Sequence, residues 1–238
     1  MCTVVVLVRP GHAWPVTIAA NRDEQLARSW DPPAAWWPDQ PEVIGGRDRS
    51  AGGTWMALHR TDGVVAAVLN RPGTLGPLAG KRSRGDLPLL AVSRGDAAAG
   101  AAAVGALDSA EWRGFNLVVA DRSGAFFLRG TGLGRPTVDR LPEGVSVVTA
   151  HDPNDLDSPR IARHLPRFAA AAAPEPNDWK DWPRLLGDRA GGPQEQLDTA
   201  TRGGFGTVCS SLVALPEEGP PQWLFAPGRP GETPFAAV

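Results

Sequence analysis

Apolar positions in this chain fall mainly into short β-branched runs separated by Gly, Pro, Asn and Asp. Thr3–Val8 is such a run, ended by Arg9-Pro10-Gly11, and predicts a buried strand followed by a turn. Val16–Ala20 predicts a second strand that leads directly into Asn21-Arg22-Asp23-Glu24, and the short connection between the two runs predicts an antiparallel hairpin. Residues 29–53, rich in Trp, Pro, Gly and charge, read as a long loop. Thr54–His59 and Val64–Asn70 read as strands paired around Asp62-Gly63, and Gly73–Gly85 as a basic loop. Asp86–Leu107 is rich in Ala and Leu and predicts one or two helices broken near Gly95. Phe115–Ala120 and Ala125–Arg129 predict a hairpin turning at Ser123-Gly124, and Val145–Ala150 a further strand. Ser158–Ala172 reads as a helix, with Ser158 as cap and Pro159 at its first position. Trp179–Arg189 reads as a shorter helix, and Val208–Leu215 and Trp223–Phe225 as closing strands. Hairpin-linked strands with helices gathered in two blocks predict a layered α+β fold with a largely antiparallel sheet. No repeat or linker divides the pattern, so one domain over residues 1–238 is expected.

Composition adds a few exclusions. Apolar residues make up 42% of 238 residues, enough for a sizeable core. With 24 basic and 26 acidic side chains, the net charge of −2 gives no reason to expect nucleic acid as a partner. No apolar run approaches the ~20 residues of a membrane span, and Thr3–Val8 is too short for a secretory leader, so a cytoplasmic protein is expected. Its two cysteines, Cys2 and Cys209, do not make a disulfide scaffold; thiols are expected, with a Cys2–Cys209 bridge as the alternative. The four histidines have no metal-ligand spacing, and no metal is expected. His151, at a strand end, is expected to be structural; the basic loop with Lys81, Arg82 and Arg84 is expected to be solvated.

Candidate chemistry centres on Cys2. Removal of Met1 would expose a residue carrying both a thiol and an α-amine. An α-amine has a pKa of about 7.7–8.0, so it can act as a base near neutral pH. The thiol, at about 8.5 when free, would be lowered by an adjacent ammonium. Nucleophile and base would then sit on one residue, as in N-terminal nucleophiles. By itself such a cysteine reads as a small apolar residue entering a strand. Two features favour chemistry: Thr3–Val8 would hold the terminus rigidly, and a hairpin with the second strand would deliver the tetrad beside it. Arg22 would stabilise a thiolate, and Asp23 would orient the α-ammonium. Strand alternation puts Asn21 and Asp23 on one face and Arg22 and Glu24 on the other.

Met1-Cys2, Ala19-Ala20-Asn21-Arg22-Asp23-Glu24, Gly52-Gly53-Thr54-Trp55, Arg84-Gly85, Gly114-Phe115-Asn116-Leu117 and Gly206-Thr207, in that order, resemble the NRDE family, the transport and Golgi organisation family. The motifs cover nearly the whole chain. That family is similar to N-terminal-nucleophile hydrolases, so the resemblance implies a four-layer αββα sandwich. With the roles read above, Cys2, Arg22 and Asp23 are candidate catalytic residues, together with Asn70 and Asn116. Eukaryotic relatives tend to carry Arg after the late Gly-Thr; here Val208 stands there, which leaves Arg202 as a substitute substrate-binding group. The chain has no Tyr, so an oxyanion hole would use Asn70 or Asn116 with backbone N–H groups. Asn70 reads equally as a turn residue and Asn116 as a buried amide. Asn21, Gly53 and Trp55 are further candidate substrate-binding residues, with Gly53 allowing close backbone approach and Trp55 an apolar wall.

Two function classes follow. One is a cofactor-free amidohydrolase acting on a non-peptide linear C–N amide, with Cys2 as nucleophile. The other, suggested by the family's association with lipid homeostasis and haem trafficking, is a non-catalytic binding protein for haem or a lipid-like ligand. In both, the partner is a small molecule. A glutamine amidotransferase would need a synthetase partner domain, for which 238 residues leave no room.

Overall fold

The computed structural model describes residues 2–238, so Met1, whose removal the sequence reading requires, lies outside the described residues. It divides into two compact units: residues 2–28 with 142–238, and residues 29–141.

The first unit is built on a six-stranded antiparallel sheet. Its strands are β1 (Thr3–Val8), β2 (Val16–Gln25), β10 (Gly144–Val148), β11 (Phe205–Leu215), β12 (Gln222–Ala226) and β13 (Ala236–Ala237), in the order β10-β1-β2-β11-β12-β13. The β1–β2 hairpin forms as expected, with Thr3 opposite Asn21 and Val8 opposite Val16. β2 is longer than its apolar run. It carries the whole tetrad inside the sheet, because β11 pairs with it from Leu215↔Val16 to Phe205↔Gln25 and so meets the backbone needs of residues 21–24. Register shifts once, between Thr207 and Cys209, where Val208 is the extra residue of a bulge. Two helices, α3 (Pro159–Ala170) and α4 (Trp182–Leu186), complete the unit. Ser158 caps α3 by accepting from the Ile161 N–H, with Pro159 in its first turn, as read from the sequence. One sheet face (Val5, Leu7, Ala19, Val147, Leu212 and Ala214) packs with Ile161, Phe168, Trp182 and Leu186 of these helices. The alternate residues Val4, Val6, Ile18 and Ala20 are buried too, so both faces of β1 and β2 are apolar.

The second unit is a seven-stranded antiparallel sheet. It runs β3 (Trp30–Ala34), β4 (Val43–Asp48), β5 (Met56–His59), β6 (Val64–Asn70), β7 (Phe115–Asp121), β8 (Gly124–Gly130) and β9 (Thr137–Arg140), in sequence order. The expected long loop over 29–53 is thus corrected: it contains β3 and β4. Their Trp, Pro and Asp content masks strand periodicity, and the pairing is broken between Asp31 and Ala34. Helices α1 (Asp86–Val92) and α2 (Ala97–Gly105) break at Gly95 as expected and pack on this sheet through Leu87, Ala91, Ala101 and Val104. The fold class is α+β, with two antiparallel sheets and few helices.

Candidate functional site

Cys2 stands at the head of β1, one residue before the Thr3↔Asn21 pair, and is partly buried. Its Sγ lies 3.4 Å from the Asp23 nitrogen, which donates to it, and 3.5 Å from the Asp23 carbonyl, to which the thiol donates. A terminus that would otherwise fray is therefore clipped to β2 through its side chain. Burial pushes the Cys2 thiol above its ordinary value, and the Asp23 charge pushes it further. The Asp23 N–H and the Arg22 guanidinium pull the other way, but burial prevails.

The tetrad divides by strand alternation as expected. Arg22 pairs across the sheet with Cys209 and extends the register that places it opposite Cys2, so the three side chains share one face. Arg22 is buried. Its Nη2 reaches Glu24 at 3.4 Å, while Nη1 is buried with no hydrogen-bond partner among the described residues. Cys209 is fully enclosed, and burial pushes its thiol up to about 12. β2 lies between the two cysteines. Two strand spacings of about 4.8 Å exceed the ~7 Å that a disulfide tolerates between Cα atoms, so the Cys2–Cys209 bridge is ruled out and both remain thiols.

Asn21 and Asp23 point to the helix-bearing face. Both N–H groups of the Asn21 amide are spent on backbone carbonyls, Leu186 at 2.9 Å and Leu197 at 3.0 Å, and its Oδ1 accepts from Ser210 at 2.7 Å. Asn21 is fully buried, so the residue read as substrate-binding is instead a clamp between β2, β11 and the segment after α4. The Asp23 carboxylate is also enclosed. Thr207 donates to Oδ1 and Thr199 to Oδ2, both at 2.7 Å, and Arg160 pairs with Oδ2 at 3.3 Å. Arg160, Thr199 and Thr207 were not singled out from the sequence. Only the late Gly206-Thr207 motif signals any of them; Arg160 sits in an ordinary amphipathic helix pattern.

Arg202 lies at the exposed tip of a turn. Arg202 and Phe205 exchange backbone hydrogen bonds around Gly203 and Gly204, both at positive φ, where glycine is required. It is therefore on the β11 end that meets Gln25. His151 pairs with Asp155 at 3.3 Å, just past β10.

The remaining sequence candidates belong to the second unit. Asn70 ends β6, partly exposed, opposite Phe115. Asn116 is buried and accepts from Arg71 at 2.6 Å. Gly53 and Gly85 explain two motifs at once: a Cβ on Gly53 would lie 2.6 Å from the Gly85 carbonyl carbon, and the Thr54 N–H donates to Gly85 at 3.1 Å. Trp55, beside this contact, is partly exposed. The basic loop is not simply solvated as expected. Arg84 donates to the Thr74 and Gly114 carbonyls at 2.8 and 3.0 Å, and Arg82 stacks 4.7 Å from the Trp112 ring, so both hold the loop in place.

Among the described residues no cluster of three His, Cys, Asp or Glu could hold a metal ion, and no helix is long and apolar enough to cross a membrane.

The architecture matches solved structures. An N-acylethanolamine-hydrolyzing acid amidase ortholog from Caenorhabditis elegans superimposes with a TM-score of 0.61 at 10% identity, covering 89% of this chain and 92% of that one. A variant of conjugated bile acid hydrolase from Clostridium perfringens gives 0.57 at 12% identity, covering 100% of this chain and 92% of that one. The chain thus shares its fold with these two structures, as the resemblance implied. Residues 1–175 match the sequence pattern of Transport and Golgi organisation 2, and the chain belongs to that family. None of the curated proteins compared matches it.

Proposed function

We propose that this protein is an N-terminal cysteine amidohydrolase acting on a linear, non-peptide amide. The observation that carries the reading is the seating of Cys2 Sγ between the Asp23 N–H and C=O, on the face that also bears Arg22, whose buried Nη1 has no hydrogen-bond partner among the described residues. Burial keeps the resting thiol protonated, so attack needs a base. Once Met1 is removed, the α-amine of Cys2 is that base. It takes the Sγ proton as sulfur bonds to the carbonyl carbon. Arg22 supplies positive charge on the face where thiolate and oxyanion develop. The ammonium returns its proton to the departing amine as the C–N bond breaks. Water, deprotonated by the same amine, then cleaves the thioester and releases the carboxylic acid. Asp23, held by Arg160, Thr199 and Thr207, fixes the strand end on which Cys2 rests. All these residues lie in the first unit.

Support for the substrate class comes from the two structural neighbours, which act on N-acylethanolamines and conjugated bile acids. Both are amides joining a large apolar acyl group to a small polar amine. The test is release of free acid from an N-acylethanolamine series and a conjugated bile acid. Intact mass establishes beforehand that Met1 is absent. Wild type should turn over at least one series and Cys2→Ala none, with loss of iodoacetamide labelling. Equal turnover by Cys2→Ala, or none by processed wild type, overturns the reading. A Soret shift on haem titration that vanishes in Cys2→Ala would instead support the binding-protein reading.

A further inference from the structure

Arg160 is an unusual residue for its position. It occupies the first turn of α3, where a positive charge opposes the helix dipole, and its side chain is 3% exposed. Burying a guanidinium is costly unless it is paired and hydrogen-bonded. It reaches residues around Cys2: Nη1 meets Thr3 Oγ1 at 3.0 Å and Asp23 Oδ2 at 3.3 Å, and Nη2 meets Thr199 Oγ1 at 3.0 Å. Thr3 follows Cys2 in the chain, and Asp23 holds its sulfur through the backbone. One helix side chain therefore reaches both strands that carry the thiol.

The charges around Cys2 explain why such a residue would be useful. Asp23 is the carboxylate whose charge disfavours the Cys2 thiolate. A lone buried carboxylate would equally favour protonated amine at the same residue, and a protonated amine cannot act as base. Arg22 faces the thiol from β2, with Glu24 paired to it, Cys209 lies beyond on β11, and His151 with Asp155 follows β10. Arg160 pairs with the Asp23 carboxylate at 3.3 Å, both side chains being buried. We infer that Arg160 is a positioning residue whose buried charge offsets that of Asp23, so that the carboxylate anchors the Cys2 end of the sheet without trapping the terminal amine in its protonated form. This rests on the α-amine reading above and adds to it the group that keeps the amine available.

The test uses processed full-length protein and needs no substrate. Condensation with 2-cyanobenzothiazole, which requires both a free thiol and a free α-amine on one cysteine, establishes the aminothiol. The pH dependence of Cys2 alkylation by iodoacetamide then reports its charge environment. Arg160→Met should move the alkylation midpoint upward by about one pH unit, a roughly tenfold slower reaction at pH 7. Arg160→Lys should stay near wild type. The double variant Arg160→Met with Asp23→Asn, which removes both charges, should return the midpoint to near the wild-type value. If Arg160→Met does not fold, the Lys variant and the double variant carry the test. A wild-type midpoint in Arg160→Met, or a double variant that stays shifted, overturns the inference while leaving the α-amine reading intact. A wild type that fails to condense with 2-cyanobenzothiazole overturns both.

Discussion

Asn21→Ala separates the two roles that the first residue of the tetrad could play. The Asn21 amide donates to the Leu186 and Leu197 carbonyls and accepts from Ser210, all within the first unit. Truncation to alanine takes the Asn21 donor from two buried carbonyls, leaving Leu197 only a long contact from Thr207 at 3.5 Å, and strands a buried hydroxyl without its acceptor. Each stranded group costs about 1–3 kcal/mol. Allowing for partial relaxation, the sum is about 3–6 kcal/mol, a large share of the 5–15 kcal/mol typical of a folded domain. At about 2–4 °C per kcal/mol for a chain of this size, Tm should fall by roughly 6–24 °C. Urea unfolding measures the loss. Hydrogen exchange should show that residues 186–198 open first, because the Asn21 tie between them and β2 is gone. Stability within about 0.5 kcal/mol of wild type, together with lost Cys2 labelling or ligand binding, would refute the clamp and return Asn21 to the substrate.

Other outcomes can be checked on the same protein. Gly53→Ala sets a Cβ 2.6 Å from the Gly85 backbone, which no rotamer can relieve; it should destabilise the second unit by about 1–3 kcal/mol in urea unfolding. His164 is buried against the Glu195 carbonyl, and burial lowers its pKa to about 4. Its folded value lies below the unfolded one, so the unfolded chain binds more protons between about pH 6.5 and 4, and stability should fall as pH drops through that window. His164→Gln should flatten that part of the stability–pH curve. Cys209, enclosed and with its thiol pushed up to about 12, should resist iodoacetamide at pH 8, so intact mass should show a single adduct that persists in Cys209→Ala.

Much of the first unit's site was legible because it depends on local pattern. Thr3–Val8 and Val16–Ala20 are apolar, β-branched runs with a short connection, so a hairpin follows, and a hairpin places residues 21–24 beside residue 2 with side chains alternating between the two faces. The same alternation sorts Arg22 from Asn21 and Asp23. β3 and β4 were not legible, because Trp36-Trp37-Pro38 and the surrounding prolines carry turn chemistry inside what the structure makes a strand pair. Arg84 was misread for a related reason: a basic side chain in a Gly-rich loop looks solvated until the carbonyls of Thr74 and Gly114 are folded around it.

By itself the sequence determined the candidate nucleophile, the strand that holds it, the tetrad delivered beside it and the family to which the chain belongs. Those follow from residue order and a period of two. Tertiary structure alone decided what Asn21 and Asp23 are for. Their partners are Leu186, Leu197, Thr199, Thr207, Ser210 and Arg160, which lie 137 to 189 positions away along the chain. No local pattern encodes a contact at that separation; it exists only because β11 closes on β2 and α3 lies across the same face. A charged side chain in a strand end reads as solvated until a helix from the far part of the chain buries it and supplies its counter-charge.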